Sequence, residues 1–281
     1  MTLGIRRRAI LGLGLSSLLL SQLACGPGSH AGRAAGEGGN VPENLAPELH
    51  FSGAQLALAR AAMAGDREEV ARLVAVEQAD PNASTVDGTP LLAWPMLADS
   101  VAGVEALLDA RADPNLPVPG HGSAIALAAR AENPAILVAL LDHGGDPDAM
   151  NDNREPLWYV AAVNRRWDNI RLLVERGADV NLPAHRNPAN TLVAFYSSGQ
   201  FEKVHWLLEH GADPGYRIAE AAAPDRVGAR PVVEHIYWWP TDAEAFPEKA
   251  AWQTRCQEWL AARGYERPPE PAWLARMTAP R

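Results

Sequence analysis

The side chains best suited to chemistry in this 281-residue chain are eight histidines and two cysteines. His143 and His210 each stand one residue before a glycine at the end of a predicted helix, where a histidine interacts favourably with the helix dipole. Because they stand 67 positions apart in the sequence, we do not expect them to bind one metal ion. His121 and His185 fall in predicted turns, where a solvated imidazole is expected.

No catalytic motif accompanies these residues. The sequence contains no Gly-x-Ser-x-Gly nucleophile elbow, no His-Glu-x-x-His pair and no phosphate-binding glycine loop. The acidic residues are spread over many predicted helices, and no apolar-flanked pair suggests acid–base catalysis. The turn Met150–Asn153 lacks the further ligands of a calcium loop. We therefore expect no enzymatic activity, no cofactor and no metal site.

A short sequence motif, which we call the aspartate phrase, recurs along the chain and indicates the structural elements that would position any functional residue. An alanine or glycine followed by aspartate, and in four of five cases by proline, recurs through the chain, with its aspartates at Asp80, Asp113, Asp146, Asp179 and Asp213. Successive aspartates are 33, 33, 33 and 34 residues apart. A period in this range predicts a stack of supersecondary units, not one closed globular core.

Each phrase is preceded by the pattern of two helices. Apolar residues at positions i, i+3 and i+4 mark one buried face of the second helix, in the runs 104–108, 137–141, 170–174 and 204–208. An alanine-rich run lies upstream of three such helices, and its small side chains allow helices to approach closely. Gly144, Gly177 and Gly211 follow second helices, where glycine adopts a left-handed conformation at the lowest cost. Arg111 holds the same place and is expected to be strained.

On these residues the sequence resembles the ankyrin-repeat family. The resemblance rests on Asp87-Gly88-Thr89-Pro90-Leu91, Ala161-Ala162, Arg176-Gly177-Ala178-Asp179-Val180-Asn181 and Glu209-His210-Gly211-Ala212-Asp213. It implies an all-α solenoid of helix-turn-helix units with β-turn or hairpin tips between repeats. It departs from the family at Leu92, where the family has histidine. Residues 51–217 would hold about five units, and residues 218–281 a divergent C-terminal capping repeat and tail.

The C-terminal part is rich in tryptophan. Five of the nine tryptophans lie beyond residue 230, and helices are predicted over Val232–Tyr237 and Glu248–Ala262. We interpret this region as an aromatic cap over the open end of the stack, since a terminal repeat must cover its neighbour's apolar face. The alternative is that Trp238, Trp239 or Trp273 is exposed to anchor a partner.

The N-terminus predicts export. Residues 1–25 combine Arg6–Arg8 with an apolar run and a segment like a bacterial lipoprotein cleavage box, which implies lipidation of Cys25. Residues 26–50 are expected to be a flexible linker. We predict a location in the bacterial periplasm, tethered to a membrane through Cys25. Cleaved soluble export to the periplasm, a retained anchor and a misassigned start remain alternatives, and twin-arginine export is a weaker match.

The charge favours a protein partner. The formal net charge of −9 argues against nucleic acid, because phosphate binding needs a basic face. An acidic surface attracts a basic protein surface more readily.

Family resemblance implies protein binding by first helices and inter-repeat tips, for which we select Trp158, Tyr159, Phe195, Tyr196, Met150, His185, Arg186, Met96 and Arg130. Resemblance to bacterial ankyrin lipoproteins suggests an immunity protein that neutralises a secreted toxic enzyme, such as a type VI secretion lipase. The alternative is an envelope scaffold that holds another protein without inhibiting it.

Overall fold

The computed structural model describes residues 46–184, 190–217, 228–271 and 274. The chain divides into two compact units, Met1–Asp152 and Asn153–Arg281. The predicted signal segment and Cys25 lie outside the described residues, as do His185 and Arg186. No helix among the described residues has the length and apolar character needed to cross a membrane.

The first unit contains three helix pairs and two short strands among its described residues. The pairs are α1 (Gly53–Ala64) with α2 (Arg67–Val76), α3 (Ala93–Leu97) with α4 (Val101–Asp109), and α5 (Ala124–Ala129) with α6 (Ala135–Asp142). Strands β1 (Pro117–Val118) and β2 (Gly122–Ser123) form an antiparallel hairpin in which Pro117 pairs with Ser123. A single bridge between Ser84 and Pro90 forms the preceding tip. Helix α4 packs on both α1 and α6, so it joins neighbouring pairs.

The second unit contains three further helix pairs among its described residues. Its elements are α7 (Leu157–Val163), α8 (Trp167–Glu175), α9 (Val193–Tyr196), α10 (Phe201–Glu209), α11 (Pro231–Trp238) and α12 (Pro247–Ala261). The core is formed by apolar side chains of all these elements, with Ile170, Val204, Ile236 and Leu260 inaccessible to solvent. The last two helices pack against each other, and α12 also packs along α10. Buried Cys256 belongs to this contact.

The aspartate phrases form the turns that the sequence predicts. In each of the five phrases the aspartate Oδ1 accepts the backbone N–H of the residue two positions later, at 2.7 to 2.9 Å. The glycines that follow second helices adopt positive φ, with 86° at Gly144, 96° at Gly177 and 91° at Gly211. Arg111 adopts φ 70° at the same place, so the predicted strain is present there.

Side-chain caps and a proline define several of the helix starts. Asp66 Oδ1 accepts the Glu69 N–H at 3.0 Å, and Asn133 Oδ1 accepts the Ala135 N–H at 3.0 Å. Glu69 does not reach back to complete a capping box, because its carboxylate binds Arg72 at 2.7 Å. Helix α3 begins at Ala93, which places Pro95 in the first turn, where proline is tolerated.

The end of the predicted linker is ordered. Pro47–Leu49 forms a single 3₁₀ turn, and the Arg60 Nε donates to Glu48 Oε1 at 2.8 Å. The rings of His50 and Phe51 lie edge-on to Trp94, with centroids 5.4 and 4.9 Å away. Because Trp94 is a buried residue of α3, these contacts pack the residues before α1 against the second helix pair. The folded unit therefore starts a few residues before the predicted boundary at residue 51.

Candidate functional site

An open cavity of about 500 Å³ lies in the second unit, beside the turns that join the paired helices. We call it the cationic cavity. Its walls come from the end of α7, the start of α8, helix α9 and the start of α10, and its lining residues are Ala162, Val163, Arg165, Arg166, Trp167, Ile170, Ala194, Phe195, Gln200 and Lys203. This lining contains three basic residues and no acidic one.

Two tight turns with the same backbone geometry position the cavity walls. In the turn from α7 to α8, Arg165 has φ 60° and the Arg166 N–H donates to Ala161 O at 2.8 Å. In the turn from α9 to α10, Gly199 has φ 65° and the Gln200 N–H donates to Phe195 O at 3.2 Å. A non-glycine residue at such a φ is uncommon. Arg165 thus occupies a backbone position where glycine would be less strained.

An aromatic wall holds the third cation. The rings of Trp167 and Phe195 meet edge-on with centroids 5.2 Å apart. Lys203 Nζ lies 5.4 Å from the centre of the Trp167 ring and 5.3 Å from that of Phe195, and it donates to Gln200 Oε1 at 2.8 Å. Burial lowers the pKa of Lys203, and the charges of Glu202 and Asp168 partly offset the effect. The ammonium is therefore held against the rings in a partly dehydrated position.

A second, smaller cleft of about 240 Å³ shares Trp167 with the cationic cavity. We call it the aromatic cleft, and its lining is Trp167, Arg171, Glu202, His205, Trp206, Glu209 and Trp252. Trp206 lies 5.5 Å from Trp167, edge to face, and stacks on His210 at 3.7 Å. His205 Nδ1 is 3.3 Å from Glu209 Oε2. Cations and carboxylates are mixed here, so the cleft has no single charge preference.

The structure buries four of the residues selected as partner contacts. Exposed fractions are 3% for Met96, 1% for Trp158, 6% for Phe195 and 8% for Tyr196. A buried side chain offers a partner almost no surface. Our selection assumed that these four side chains are exposed, and that assumption is wrong. Trp158 is a core residue whose indole Nε1–H donates to Leu182 O at 3.1 Å. Phe195 nevertheless belongs to the lining of the cationic cavity.

Three other selected residues are more accessible, and none of the three belongs to the cavity lining. Met150 is 40% exposed, and Tyr159 is half-buried against Trp158 at 5.7 Å. Arg130 is half-buried, and its Nη1 lies 2.8 Å from His121 Nδ1. The role of these three residues in binding stays a prediction. Cys25, His185 and Arg186 lie outside the described residues.

His121 is not the solvated turn residue that we expected. It is 7% exposed in the β1–β2 turn. Burial, followed by the charge of Arg130, lowers its pKa, and Asp152 acts in the opposite direction. Its environment therefore favours the neutral imidazole. Among the described residues, no group of three or more histidine, cysteine, aspartate or glutamate side chains is arranged to hold a metal ion.

The C-terminal tryptophans are half-buried and paired within the unit. Trp238 donates from Nε1 to Pro268 O at 3.0 Å, and Arg267 lies 4.1 Å from its ring centre. Trp239 contacts Lys249, with Nζ 5.2 Å from the ring centre. Both side chains thus support the aromatic cap, and Trp273 lies outside the described residues.

Phe195 of the cavity lining was selected from the sequence, but the three basic residues Arg165, Arg166 and Lys203 were missed, although a signal was available. At the helix-joining turn the repeats carry Gly65-Asp66, Asp99-Ser100, Glu132-Asn133, Arg165-Arg166 and Gly199-Gln200. One of these turns bears adjacent arginines, whereas the other four carry no basic residue at these two positions. Trp167, the next residue, is the first residue of helix α8. Comparing equivalent turns, and not only apolar faces, would have selected this site.

The comparisons with known proteins agree with the repeat architecture. Residues 125–218 match the family model described as ankyrin repeats in three copies. The crystal structure of the ankyrin repeat domain of Bcl-3, described as a unique member of the IkappaB protein family, is similar with a TM-score of 0.55 and 22% identity. The match covers 75% of this chain and 86% of that chain. No curated protein matches this chain. The fold is therefore an all-α ankyrin-repeat solenoid.

Proposed function

We propose that this ankyrin-repeat chain is a non-enzymatic protein-binding module, and that its second unit contacts the partner around Trp167. Ankyrin repeats imply a protein-binding role, and the matched residues 125–218 include the cationic cavity. The observation that supports the proposal best is the half-buried Trp167, which borders both the cavity and the aromatic cleft. Tryptophan and arginine are the residues most enriched where a few side chains dominate an interface.

Two further features favour a contact at this surface. Val163 lines the cavity and is 59% exposed, so an apolar side chain stands in solvent at its edge. Arg171 lies 5.8 Å from the Trp206 ring centre and Lys203 lies over Trp167, which keeps charged groups beside aromatic surface. A partner that covers Trp167 can gain apolar burial and charge pairing in the same place.

The experiment begins with capture of the partner. Full-length protein in detergent is used to recover partners from solubilised bacterial envelope, and the recovered protein is purified and titrated by calorimetry. Val163→Asp is expected to raise the Kd at least tenfold, because it places a carboxylate at the apolar edge of the interface. Val76→Asp is the matched control, since Val76 is also the exposed last residue of a helix and lies outside the cavity.

Loss of binding in Val163→Asp with retention in Val76→Asp supports the proposed surface. Equal binding by both variants contradicts it. Failure to recover any protein that binds the purified chain contradicts the binding function itself.

For the cellular setting we propose a bacterial lipoprotein tethered in the periplasm through Cys25 that acts as an immunity protein against a secreted toxic enzyme. The export-like N-terminus, the linker and the net charge of −9 support this reading, and the charge favours a partner with a basic surface. Palmitate incorporation that is lost in Cys25→Ala tests the tether. Loss of viability on deletion in mixed culture with an effector-producing strain tests immunity. A partner whose activity is unchanged on binding indicates a scaffold instead.

A further inference from the structure

We propose that the cationic cavity receives an acidic segment of the partner protein, whose carboxylate lies among Arg165, Arg166 and Lys203 while a neighbouring apolar side chain packs against Trp167. This inference rests on the proposed protein-binding function and adds the chemistry of the partner. It differs from the expectation drawn from net charge, which favoured a partner with a basic surface.

The local charge is opposite to that of the whole chain. The formal net charge is −9, yet the cavity lining carries three basic residues and no carboxylate. Asp168 and Glu202 lie nearby in the first turns of α8 and α10, and both favour the charged form of Lys203 without joining the lining. A concave site lined with one sign of charge focuses the field and attracts a group of the opposite sign.

The lysine is placed to bind an anion with little further ordering. Lys203 Nζ is fixed by the Trp167 and Phe195 rings and by its hydrogen bond to Gln200 Oε1 at 2.8 Å. An ammonium carries three donors, and Gln200 accepts one of them. A carboxylate can accept another through a charge-assisted hydrogen bond, which is stronger than a neutral one. Because Lys203 is already held, the entropy lost on binding is reduced.

The arginines stand on a short, well-defined turn. Arg165 and Arg166 occupy consecutive positions between α7 and α8, and the Arg165 N–H donates to Ala162 O at 3.0 Å. Helix α8 begins there without a side-chain cap at its N-cap residue Arg166, so the positive end of its dipole adds to the same field. Guanidinium groups bind carboxylates with planar, bidentate geometry.

The shape and walls of the cavity favour a polypeptide segment over a bare ion. Its volume of about 500 Å³ exceeds what one carboxylate fills, and Ala162, Val163 and Ala194 provide apolar wall. An acidic residue beside an apolar one would cover both kinds of surface. A long polyanion such as nucleic acid, or an anionic membrane surface, would meet the repulsion of the acidic chain, whereas a short segment meets mainly the local field.

The test measures fluorescence anisotropy of a labelled, end-blocked hexapeptide that carries two adjacent glutamates and one phenylalanine, added to the full-length chain in detergent. The control peptide has glutamine in place of both glutamates. We expect binding that weakens with rising salt, at least tenfold weaker binding of the control peptide, and about a tenfold higher Kd in Lys203→Gln and in Arg165→Gln.

Two matched controls separate the cavity from general charge effects. Arg154→Gln removes an exposed arginine of the same unit with φ 59°, close to the 60° of Arg165, but outside the cavity. Lys249→Gln removes a lysine that lies over Trp239, as Lys203 lies over Trp167. Both control variants are expected to bind the acidic peptide with wild-type affinity, and circular dichroism checks that all four variants are folded.

Three outcomes overturn the inference. The first is equal affinity for the acidic and the glutamine peptide, or equal loss in the cavity and control variants. The second is binding of inorganic phosphate, or of vesicles containing phosphatidylglycerol, with the same variant dependence and higher affinity, which assigns the cavity to another ligand. The third is wild-type binding of a captured partner by Lys203→Gln and Arg165→Gln. The third result contradicts the inference but leaves the proposed binding function intact. Failure to recover any partner contradicts the binding function, but it does not contradict the preference of the cavity for the acidic peptide.

Discussion

The side chain of Asn82 is hydrogen-bonded to the backbone of Asp113, with the Asn82 Oδ1 accepting the Asp113 N–H at 2.7 Å. The Asn82 Nδ2 donates to Arg111 O at 3.1 Å, so one amide satisfies both a donor and an acceptor of the next repeat. Asn115 repeats the arrangement with Asp146 and Gly144, and Asn181 repeats it with Asp213 and Gly211. In three of the five phrases, the asparagine after the Asp-Pro or Asp-Val pair therefore links successive turns of the array.

We predict that Asn115→Asp destabilises the first unit by about 1–2 kcal/mol. The substitution removes the Nδ2 donor to Gly144 O and adds a third carboxylate to those of Asp113 and Asp146. The measurement is urea-induced unfolding followed by circular dichroism. Asn133→Asp is the matched control, because Asn133 uses its Oδ1 to cap Ala135 and aspartate caps equally well. Similar destabilisation by both variants would contradict the link.

A reciprocal exchange tests the backbone strain at Arg111. Arg111 has φ 70° where Gly144 has φ 86°, and both residues directly follow the last turn of a second helix. Arg111→Gly is expected to raise the free energy of unfolding by about 0.5–1 kcal/mol, since the relief of left-handed strain exceeds the entropy cost of glycine. Gly144→Arg is expected to lower the free energy of unfolding by about the same amount, because arginine is strained at this φ. No larger loss is expected, since nothing within 4 Å would obstruct the new Cβ.

Urea midpoints of the two single variants and of the wild type give the comparison. If Arg111→Gly lowers the midpoint, the arginine side chain makes stabilising contacts that outweigh the strain.

The regular features of the fold were predictable because each depends on local chemistry. The aspartate turns, the glycine positions and the C-terminal helices follow from short-range rules. Helices predicted over Val232–Tyr237 and Glu248–Ala262 are observed at Pro231–Trp238 and Pro247–Ala261.

The identity of the exposed aromatic residues was harder to predict. Helix α7 has seven residues, which is about two turns. In so short a helix the apolar pattern does not predict which of the neighbouring Trp158 and Tyr159 faces the core. In the structure Trp158 points inward and Tyr159 is half-buried. The cationic cavity was also hidden, because it needs Arg165 and Lys203 from two successive repeats, and periodicity describes what repeats share, not where one repeat differs.

Trp158 should act on stability and not on partner binding. Trp158→Phe keeps most of the buried ring but removes the Nε1–H that donates to Leu182 O, so we expect a loss of about 1–2 kcal/mol in unfolding free energy. Trp158→Ala, which leaves a large cavity, should cost about 3–5 kcal/mol. Chemical unfolding measures the stability of both variants. Calorimetric titration with the captured partner measures their affinity for the partner, which we expect to be unchanged in Trp158→Phe. Unchanged stability with lost binding in Trp158→Phe would restore this residue as a partner contact.

His143 should give the first unit a pH-dependent increment of stability. Its Nδ1–H donates to Ala139 O at 2.8 Å and its Nε2 lies 3.1 Å from Asp109 Oδ1. The backbone hydrogen bond, followed by the bond to Asp109, raises the pKa of His143 above its ordinary value. Because the folded-state pKa is the higher one, the stabilisation is fully present below the unfolded-state pKa of about 6.5 and is lost as pH rises through the folded-state pKa.

The difference in unfolding free energy between wild type and His143→Gln should therefore shrink as pH is raised from 5.5 to 8.5. Asp109→Asn should lower the pKa of His143 measured by NMR, while the bond to Ala139 keeps part of the shift. A measured pKa of His143 at or below the ordinary value in the wild type would show that these contacts do not form in solution.

Cys256 should be protected from alkylation as long as the second unit is folded. Its side chain is inaccessible, its Sγ–H donates to Phe201 O at 3.4 Å, and burial raises the pKa of its thiol to about 12. At pH 8 the reactive thiolate is then about 10⁻⁴ of the population, against a large minority for an unfolded cysteine. We expect iodoacetamide to modify Cys256 at least about a hundredfold more slowly in buffer than in 6 M urea, as quantified by peptide mass spectrometry. Comparable rates in both conditions would mean that α12 separates readily from α10, and the aromatic cap would then be an opening element and not a fixed end of the stack.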